Sequence, residues 1–448
     1  MKDLVTFLLL ILTFAFGCFL IGCSDDPVSP VNNFTNPSPQ ASTHNADIAT
    51  QWMDLACQIV ALQKINPPKA SRLYCYASVS MYESVRFGIP GSFSLSGQLN
   101  SMSSVPPVSQ SEIYDWPSVI IGSAPYVMES VLDTIFPTSQ IMINNLKSAQ
   151  EQLRRNEVSG NIVDRSLAYG EMVGARIVEW SQTDNFIETR TMIYNVPPRT
   201  INPAYWEPTD SVNLNPLEPY WGTLRCFALP HQRYCDVELN ITFSTSLSSQ
   251  FYNEALEVKT VKENLTQQQK DIALFWADGG GTPTPSGHWL SVISQIISQN
   301  SLKLDRAAEA YVLCSIAMAD AFISCWESKY RYNLLRPKTY IREYINPPDW
   351  MPFITTPPFP EYTSGHSVQS AAVSEVLTNL FGSSYSFTDT THSFRGYSPR
   401  SFTSFYQARD EAAISRLYGG IHFRQGIENG KQQGRLVGQT VLSRVRLR

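Results

Sequence analysis

Apolar positions recur at helical spacing along almost all of the chain from Ile48 onward, and proline, glycine and asparagine divide the pattern into discrete helices. A first helix is expected from Ile48 to Ile65, ended by Asn66-Pro67-Pro68, and a second from Ala70 to Phe87, ended by Gly88 and Pro90. Helices around 110–135 and 138–181 follow. The stretch 185–245, rich in proline, asparagine and aromatic residues, interrupts the pattern and reads as a long structured connection, either a lid over a site or a clamp between two halves. Helical spacing returns at about 248–258, 265–278, 286–299 and 303–335, then at 364–381, 404–418 and 423–443. The helix at 303–335 should stop where Pro337 disfavours helical geometry at Arg336. No long run alternates with the period of a strand, and neither a fixed-period repeat nor a glycine-rich phosphate loop is present.

Ahead of the helices, Lys2 precedes an apolar run from Leu4 to Phe19 that ends in Leu20-Ile21-Gly22-Cys23. This resembles a bacterial lipobox, with residues 1–22 as signal peptide and Cys23 as the acylated N-terminus; a plain signal peptide or a single anchor helix is the alternative. Ser24-Asp25-Asp26 resembles the acidic tether of surface-exported lipoproteins. Residues 23–46, mostly Pro, Ser, Asn and Thr, are then expected to be a flexible tether. The implied location is the bacterial cell envelope, at the outer membrane or cell surface, with membrane attachment through the lipid alone.

Composition narrows the function classes. A hydrophobic content of 43% with 16% charged residues is that of a globular protein, and a net charge of −5 offers no basic field for nucleic acid. Of eight cysteines, six remain once Cys18 and Cys23 are set aside, and none has zinc-ligand spacing. Cys226 and Cys235 are the first pair to consider for a disulfide, with scattered buried thiols as the alternative. No apolar segment after the signal is expected to be long enough to span a bilayer.

Candidate chemistry is concentrated between Lys329 and His422, in three blocks. In the first, Lys329 and Arg336 are seven residues apart, so on a continuous helix they would share a face about 10 Å apart along its axis. In the second, Thr363-Ser364-Gly365-His366 opens a helix with Thr363 as a plausible N-cap. Free first-turn amides, a hydroxyl and a glycine there suit an oxyanion, and His366 follows to exchange a proton. In the third, Arg416 supplies a planar donor fork, and Gly419-Gly420 permits a break that re-aims His422.

Taken in this order, Lys-x6-Arg-Pro, Thr-Ser-Gly-His and Ser-Arg-x5-His resemble the signature shared by vanadium-dependent haloperoxidases and the type-2 phosphatidic acid phosphatase superfamily. The run Phe359-Pro-Glu-Tyr-Thr-Ser-Gly-His-Ser367 is especially similar to bacterial haloperoxidases, and the likeness extends through Ala70–Tyr74, Trp221–Arg225 and Phe275–Gly279. The resemblance implies an all-α fold of two packed helical bundles. The parts would be an N-terminal bundle over about 47–184, a connection over 185–245 and a catalytic bundle over about 246–448 that holds the site.

It further implies that Lys329, Arg336 and Arg416 neutralise the oxygens of vanadate or phosphate, and that Ser364 and the Gly365 amide donate to them. His366 would be the acid/base, and His422 would bond vanadium or act as the phosphoryl-accepting nucleophile. The expected function is vanadate-dependent oxidation of halide by hydrogen peroxide. The alternatives are hydrolysis of a phosphate ester and an idle, oxyanion-binding surface lipoprotein. Family members often carry Asp four residues after the last histidine, where this chain has Gly426; Glu428 or a backbone carbonyl is expected to take over its role. Pro285-Ser286-Gly287-His288 matches the middle block but lies out of order, and is read as a helix start with His288-Trp289 along an access channel. Asp278 is expected to pair with one of the arginines.

Overall fold

The computed structural model describes residues 36–132, 134–210 and 214–448. The expected signal peptide, the lipidation site Cys23 and the first part of the tether lie outside the described residues. The last part of that tether is docked rather than flexible. Asn36 Nδ2 donates to the carbonyls of Ser109 (2.9 Å) and Glu112 (3.2 Å), Trp116 Nε1 donates to that of Pro39 (2.6 Å), and Ala41 is buried.

Among the described residues the fold is all helical apart from one two-stranded ribbon. The N-terminal helices are α1 (Asp47–Gln63), α2 (Pro67–Val85), α3 (Trp116–Val131), α4 (Pro137–Glu157), α5 (Gly160–Ser181) and the single turn α6 (Phe186–Thr189). Two of them start where a side chain satisfies a free amide and a proline in the first turn removes another: Asn66 accepts from Lys69 N before Pro67, and Asp115 from Ser118 N before Pro117. The helix expected over 138–181 is two helices, because Val158 and Ser159 leave helical geometry. After the connection come α7 (Gln250–Glu263), α8 (Gln267–Phe275), α9 (Thr284–Gln299), α10 (Leu304–Tyr332) and the turn α11 (Pro337–Tyr340). The chain closes with α12 (Gly365–Phe381), β1 (Phe387–Asp389), β2 (Arg400–Phe402), α13 (Phe405–Tyr418) and α14 (Arg424–Arg444). The strands, which the apolar pattern did not show, pair antiparallel with Phe387 opposite Phe402.

The central element is α10. It packs against α2 on one side and α12 on the other, so one continuous apolar core runs through both bundles. Contrary to expectation it is long and apolar enough to cross a bilayer, but its apolar window is wholly buried inside the protein. A soluble core helix that is surrounded on all sides has this composition.

The connection 185–245 acts as a clamp. Asp320 on α10 accepts from the amides of Phe227 (2.6 Å), Ala228 (2.7 Å) and Leu229 (2.9 Å), and Trp206 N donates to Asn333 O (2.7 Å). These bonds satisfy backbone that a long irregular segment would otherwise bury unpaired.

On the other side of the core, α14 lies directly on α12. A Cβ on Gly434 would fall 1.9 Å from the Val368 carbonyl oxygen and one on Gly438 2.6 Å from that of Ala372, so only glycine permits this approach. The six described cysteines, Cys226 and Cys235 among them, are free thiols.

Candidate active site

Lys329 and Arg336 do not share a helix face, as the sequence suggested. α10 ends at Tyr332 because Asn333 takes the left-handed conformation (φ 47°), and Arg336 sits beyond it in extended geometry. The turn nonetheless brings both side chains, fully buried, to one place. Lys329 Nζ donates to the carbonyls of Pro360 (3.2 Å), Glu361 (3.0 Å) and Thr363 (2.5 Å). All three protons are committed, so Lys329 holds the loop before α12 and adds charge rather than a free donor. Burial lowers it to about 8.

Arg336 Nε donates to Phe359 O (2.8 Å), and its Nη1 lies 2.9 Å from Ile421 O and 3.2 Å from His422 Nε2. Its Nη2 is buried without a protein partner. Burial and the Arg416 charge lower its proton affinity to about 9, which leaves it charged at neutral pH.

The middle block opens α12, with Ser364 rather than Thr363 as the cap. The Ser364 side chain accepts from Ser367 N, whereas Thr363 Oγ1 donates to Gln433 Oε1 (2.6 Å). Gly365 and His366 therefore begin the first turn, where amides have no intrahelical acceptor. His366 Nε2 is buried and unpartnered. Burial first, then the nearby Arg416 charge, lowers His366 to about 4, so it is neutral at neutral pH.

Arg416 is in the last turn of α13, its Nη1 donating to Trp276 O (2.8 Å) and its Nε buried without a partner. Gly420, with φ 75°, ends the turn and re-aims the chain, so that His422 points back into the site before α14 begins.

The orienting partner of His422 is Glu361, a residue that sequence reading missed. His422 Nδ1 donates to Glu361 Oε1 (2.8 Å), which also accepts from Phe423 N (3.0 Å). Nε2 then carries the lone pair. Burial and the charges of Arg336 and Lys329 hold His422 well below its ordinary value, so the ring is neutral. Burial raises the Glu361 carboxyl to about 7, against the pull of Lys329 and Arg336. Glu428, expected as the substitute, is on the surface with Lys431 (2.8 Å) and Arg424 (4.0 Å). The available signal was position: Glu361 stands in the Phe359–Ser367 motif itself.

A second correction concerns Asp278. Instead of pairing with an arginine, its carboxylate accepts from His288 Nδ1 (3.1 Å to each oxygen) and His392 Nε2 (2.9 Å), while His366 Nε2 is 3.8 Å away. His288 Nε2 lies 2.7 Å from Asp389 Oδ2. His288 is fully buried and bonded at both ring nitrogens, and Trp289 Nε1 donates to Ser370 Oγ (2.9 Å). Asp278, His288 and His392 have ligand atoms close enough to hold a metal ion, but these atoms already satisfy one another by hydrogen bonds. Asp389 and His392 were not singled out in the sequence. The clue available was scarcity, since the chain has only six histidines and four of them gather here.

A cavity of about 620 Å³ opens onto Asp278, Gly365, His366, Arg416 and His422, and its walls are mainly apolar, with Phe322, Trp326, Phe353 and Phe359 among them. A floor that carries a buried arginine and a helix N-terminus beneath apolar walls suits a small anion and a small substrate.

Residues 309–447 match the family profile described as VCPO second helical-bundle domain. No curated protein sequence matches the chain. Among solved structures, a bacterial vanadium-dependent iodoperoxidase superposes with TM-score 0.84 at 34% identity, covering 90% of this chain and 97% of that one. The chain belongs to the vanadium haloperoxidase family. The holo and apo forms of a bacterial vanadium-dependent chloroperoxidase share the fold, with TM-scores of 0.64 and 0.60 at 14% and 13% identity; each is covered over 85% of this chain and 93% and 96% of its own. The family profile begins within α10.

The cofactor of the vanadium haloperoxidases fits the residues present. Arg336 Nη2 and Arg416 Nε are buried donors without protein partners. Leaving such groups unpaired costs roughly 1–3 kcal/mol each, more when charged, and an oxyanion would satisfy both. The first turn of α12 adds amides and the positive end of a helix. A neutral His422, bonded to Glu361 through Nδ1, would offer its Nε2 lone pair to a metal centre.

Proposed function

We propose that this protein holds vanadate and oxidises a halide with hydrogen peroxide, iodide being the first candidate because of the iodoperoxidase it resembles. The observation that carries the reading is His422. Its Nδ1 proton is fixed on Glu361, which leaves a neutral Nε2 beside Arg336 and in a cavity shared with Arg416. Arg336, Arg416, the Gly365 amide and the Ser364 hydroxyl would hold the vanadate oxygens, and His422 Nε2 would hold vanadium. Lys329 contributes positive charge and keeps the 360–363 carbonyls in place. Vanadate, when bound, would supply Lewis-acid activation of peroxide for oxygen transfer to halide. His366, neutral and with Nε2 unpartnered, is the group able to take a proton from incoming peroxide and return it to the leaving oxygen. The apolar walls limit the water that competes with halide.

Purified protein loaded with vanadate should oxidise iodide or bromide in the presence of peroxide, and His422→Ala should lose this activity while keeping its fold. If the loaded protein oxidises no halide, the reading fails. Hydrolysis of a phosphate ester without vanadate, through a phosphohistidine at 422, would replace it with the phosphatase reading. The idle-lipoprotein reading rested on Gly426 and is weakened by Glu361. We also propose that Cys23 is lipidated; Cys23→Ala that stays in the membrane fraction, with no lipid on the mature wild-type N-terminus by mass spectrometry, would exclude that.

A further inference from the structure

We propose that His288, backed by Asp389, is a positioning residue for proton exchange at His366: it holds the Asp278 carboxylate short of His366, so that His366 Nε2 stays without a protein partner. The inference rests on the halide-oxidation reading for its consequence, but its geometry is independent of it.

Asp278 is within reach of three imidazoles and bonds only two of them. Both of its oxygens are 3.1 Å from His288 Nδ1 and one is 2.9 Å from His392 Nε2, whereas His366 Nε2 is left at 3.8 Å, outside hydrogen-bond range. His366 Nε2 is correspondingly a buried nitrogen with no partner. A buried carboxylate beside a buried imidazole would ordinarily close that gap, because the ion pair it could form is worth more in a dry site than in water.

Competition prevents it. His288 lies between two carboxylates, Asp278 on Nδ1 and Asp389 on Nε2 at 2.7 Å, and these raise its proton affinity to about 10. An imidazolium so placed attracts Asp278 more strongly than neutral His366 can. The clamp is fixed from outside the cavity. Asp389 is the last residue of β1, and its other oxygen accepts from Thr391 N (2.9 Å). The His288 ring lies flat on Trp276, 4.3 Å between centroids and 12° apart.

The charged and titratable groups that face His366 are Asp278 from the α8–α9 loop, His288 from α9, Arg416 from α13 and His422 from the α13–α14 turn. Arg416 and His288 oppose a proton on His366, and Asp278 alone favours one. Removing the His288 charge therefore releases Asp278 and takes away a repulsion together.

The test uses protein labelled with ¹⁵N-histidine and without vanadate, at one neutral pH. In the wild type the His366 ring should give the shifts of a neutral imidazole. In His288→Gln it should move to a protonated ring bonded to Asp278, with the protonated fraction rising at least tenfold. Asp389→Asn, nearly isosteric and not among the residues that line the cavity, should move it in the same direction by less. In vanadate-loaded protein the same variants should lower kcat for halide oxidation and leave vanadate affinity unchanged. Unchanged His366 shifts in a folded Asp389→Asn and a folded His288→Gln would overturn the proposal. If His288→Gln does not fold, an unchanged spectrum of Asp389→Asn overturns it alone. Wild-type protein that oxidises no halide would overturn the enzyme reading, while the imidazole spectra would still decide the clamp.

Discussion

A Cβ at position 426 would fall 2.3 Å from Glu361 Oε1, the atom that accepts the His422 Nδ1 proton. Gly426 is therefore the space that Glu361 occupies, and the carboxylate expected on α14 has been exchanged for one on the loop before α12. The exchange predicts that Gly426→Ala displaces Glu361. Vanadate and phosphate affinity should fall roughly 10–100-fold, the usual effect of losing the group that orients a ligand histidine. Gly426→Asp should behave no better, because the loop carboxylate and the new one cannot share the volume. Calorimetry showing wild-type affinity in Gly426→Ala would contradict this account.

Glu361 itself gives a sharper prediction, because burial raises its carboxyl from the ordinary 4.5 to about 7. Below about 7 it becomes protonated and stops favouring the His422 tautomer that exposes Nε2. Wild-type oxyanion affinity should carry a contribution that falls as the pH drops through about 7. Glu361→Gln, whose amide oxygen still accepts from Nδ1, should bind with that contribution absent, and Glu361→Ala should be weak at every pH. Phosphate titrations of all three proteins between pH 5.5 and 8.5, compared as ratios so that ligand protonation cancels, would check it.

The three cations should separate by role. Arg336→Ala and Arg416→Ala each remove a charged donor, at a cost of roughly 1.5–3 kcal/mol or about 10–150-fold in vanadate and phosphate binding, with a smaller loss of stability, since Arg336 leaves two carbonyls and Arg416 one without a donor. Lys329→Met should instead destabilise the protein by about 3 kcal/mol or more, since three buried carbonyls lose their donor. Denaturant unfolding beside calorimetry distinguishes the two outcomes, and equal stability of Lys329→Met and wild type would remove its assigned structural part.

His288 predicts a pH dependence of stability. Its folded value is raised from 6.5 to about 10, so folding binds its proton more tightly than the unfolded chain does. The contribution is fully present below about 6.5 and is lost as the pH rises through about 10. The stability difference between wild type and His288→Gln should be largest near pH 6 and shrink steadily toward pH 10, measured by denaturant midpoints. A difference that grows over that range would reverse the assigned charge state.

Much of the architecture was legible in the chain. Apolar spacing placed most of the helices to within a few residues, because a helix that buries one face must repeat it. The order of the three blocks named the residues that gather around His422. The helix boundary at Asn333 was not legible, since whether the chain turns at Asn333 or runs on toward Pro337 depends on where Arg336 finds its carbonyl acceptors.

What the sequence determined by itself was the helical fold and the residue types that gather around His422, both set by local periodicity and by residue type. Tertiary structure alone decided which carboxylate serves His422, how Lys329 is used and why Asp278 stops short of His366. Glu361 and His422 are 61 residues apart, and Asp278 and His392 are 114 apart. Their pairing depends on how closely helices pack, here on α14 lying against α12 along its glycines, and a distance of that kind has no periodic signature along the chain.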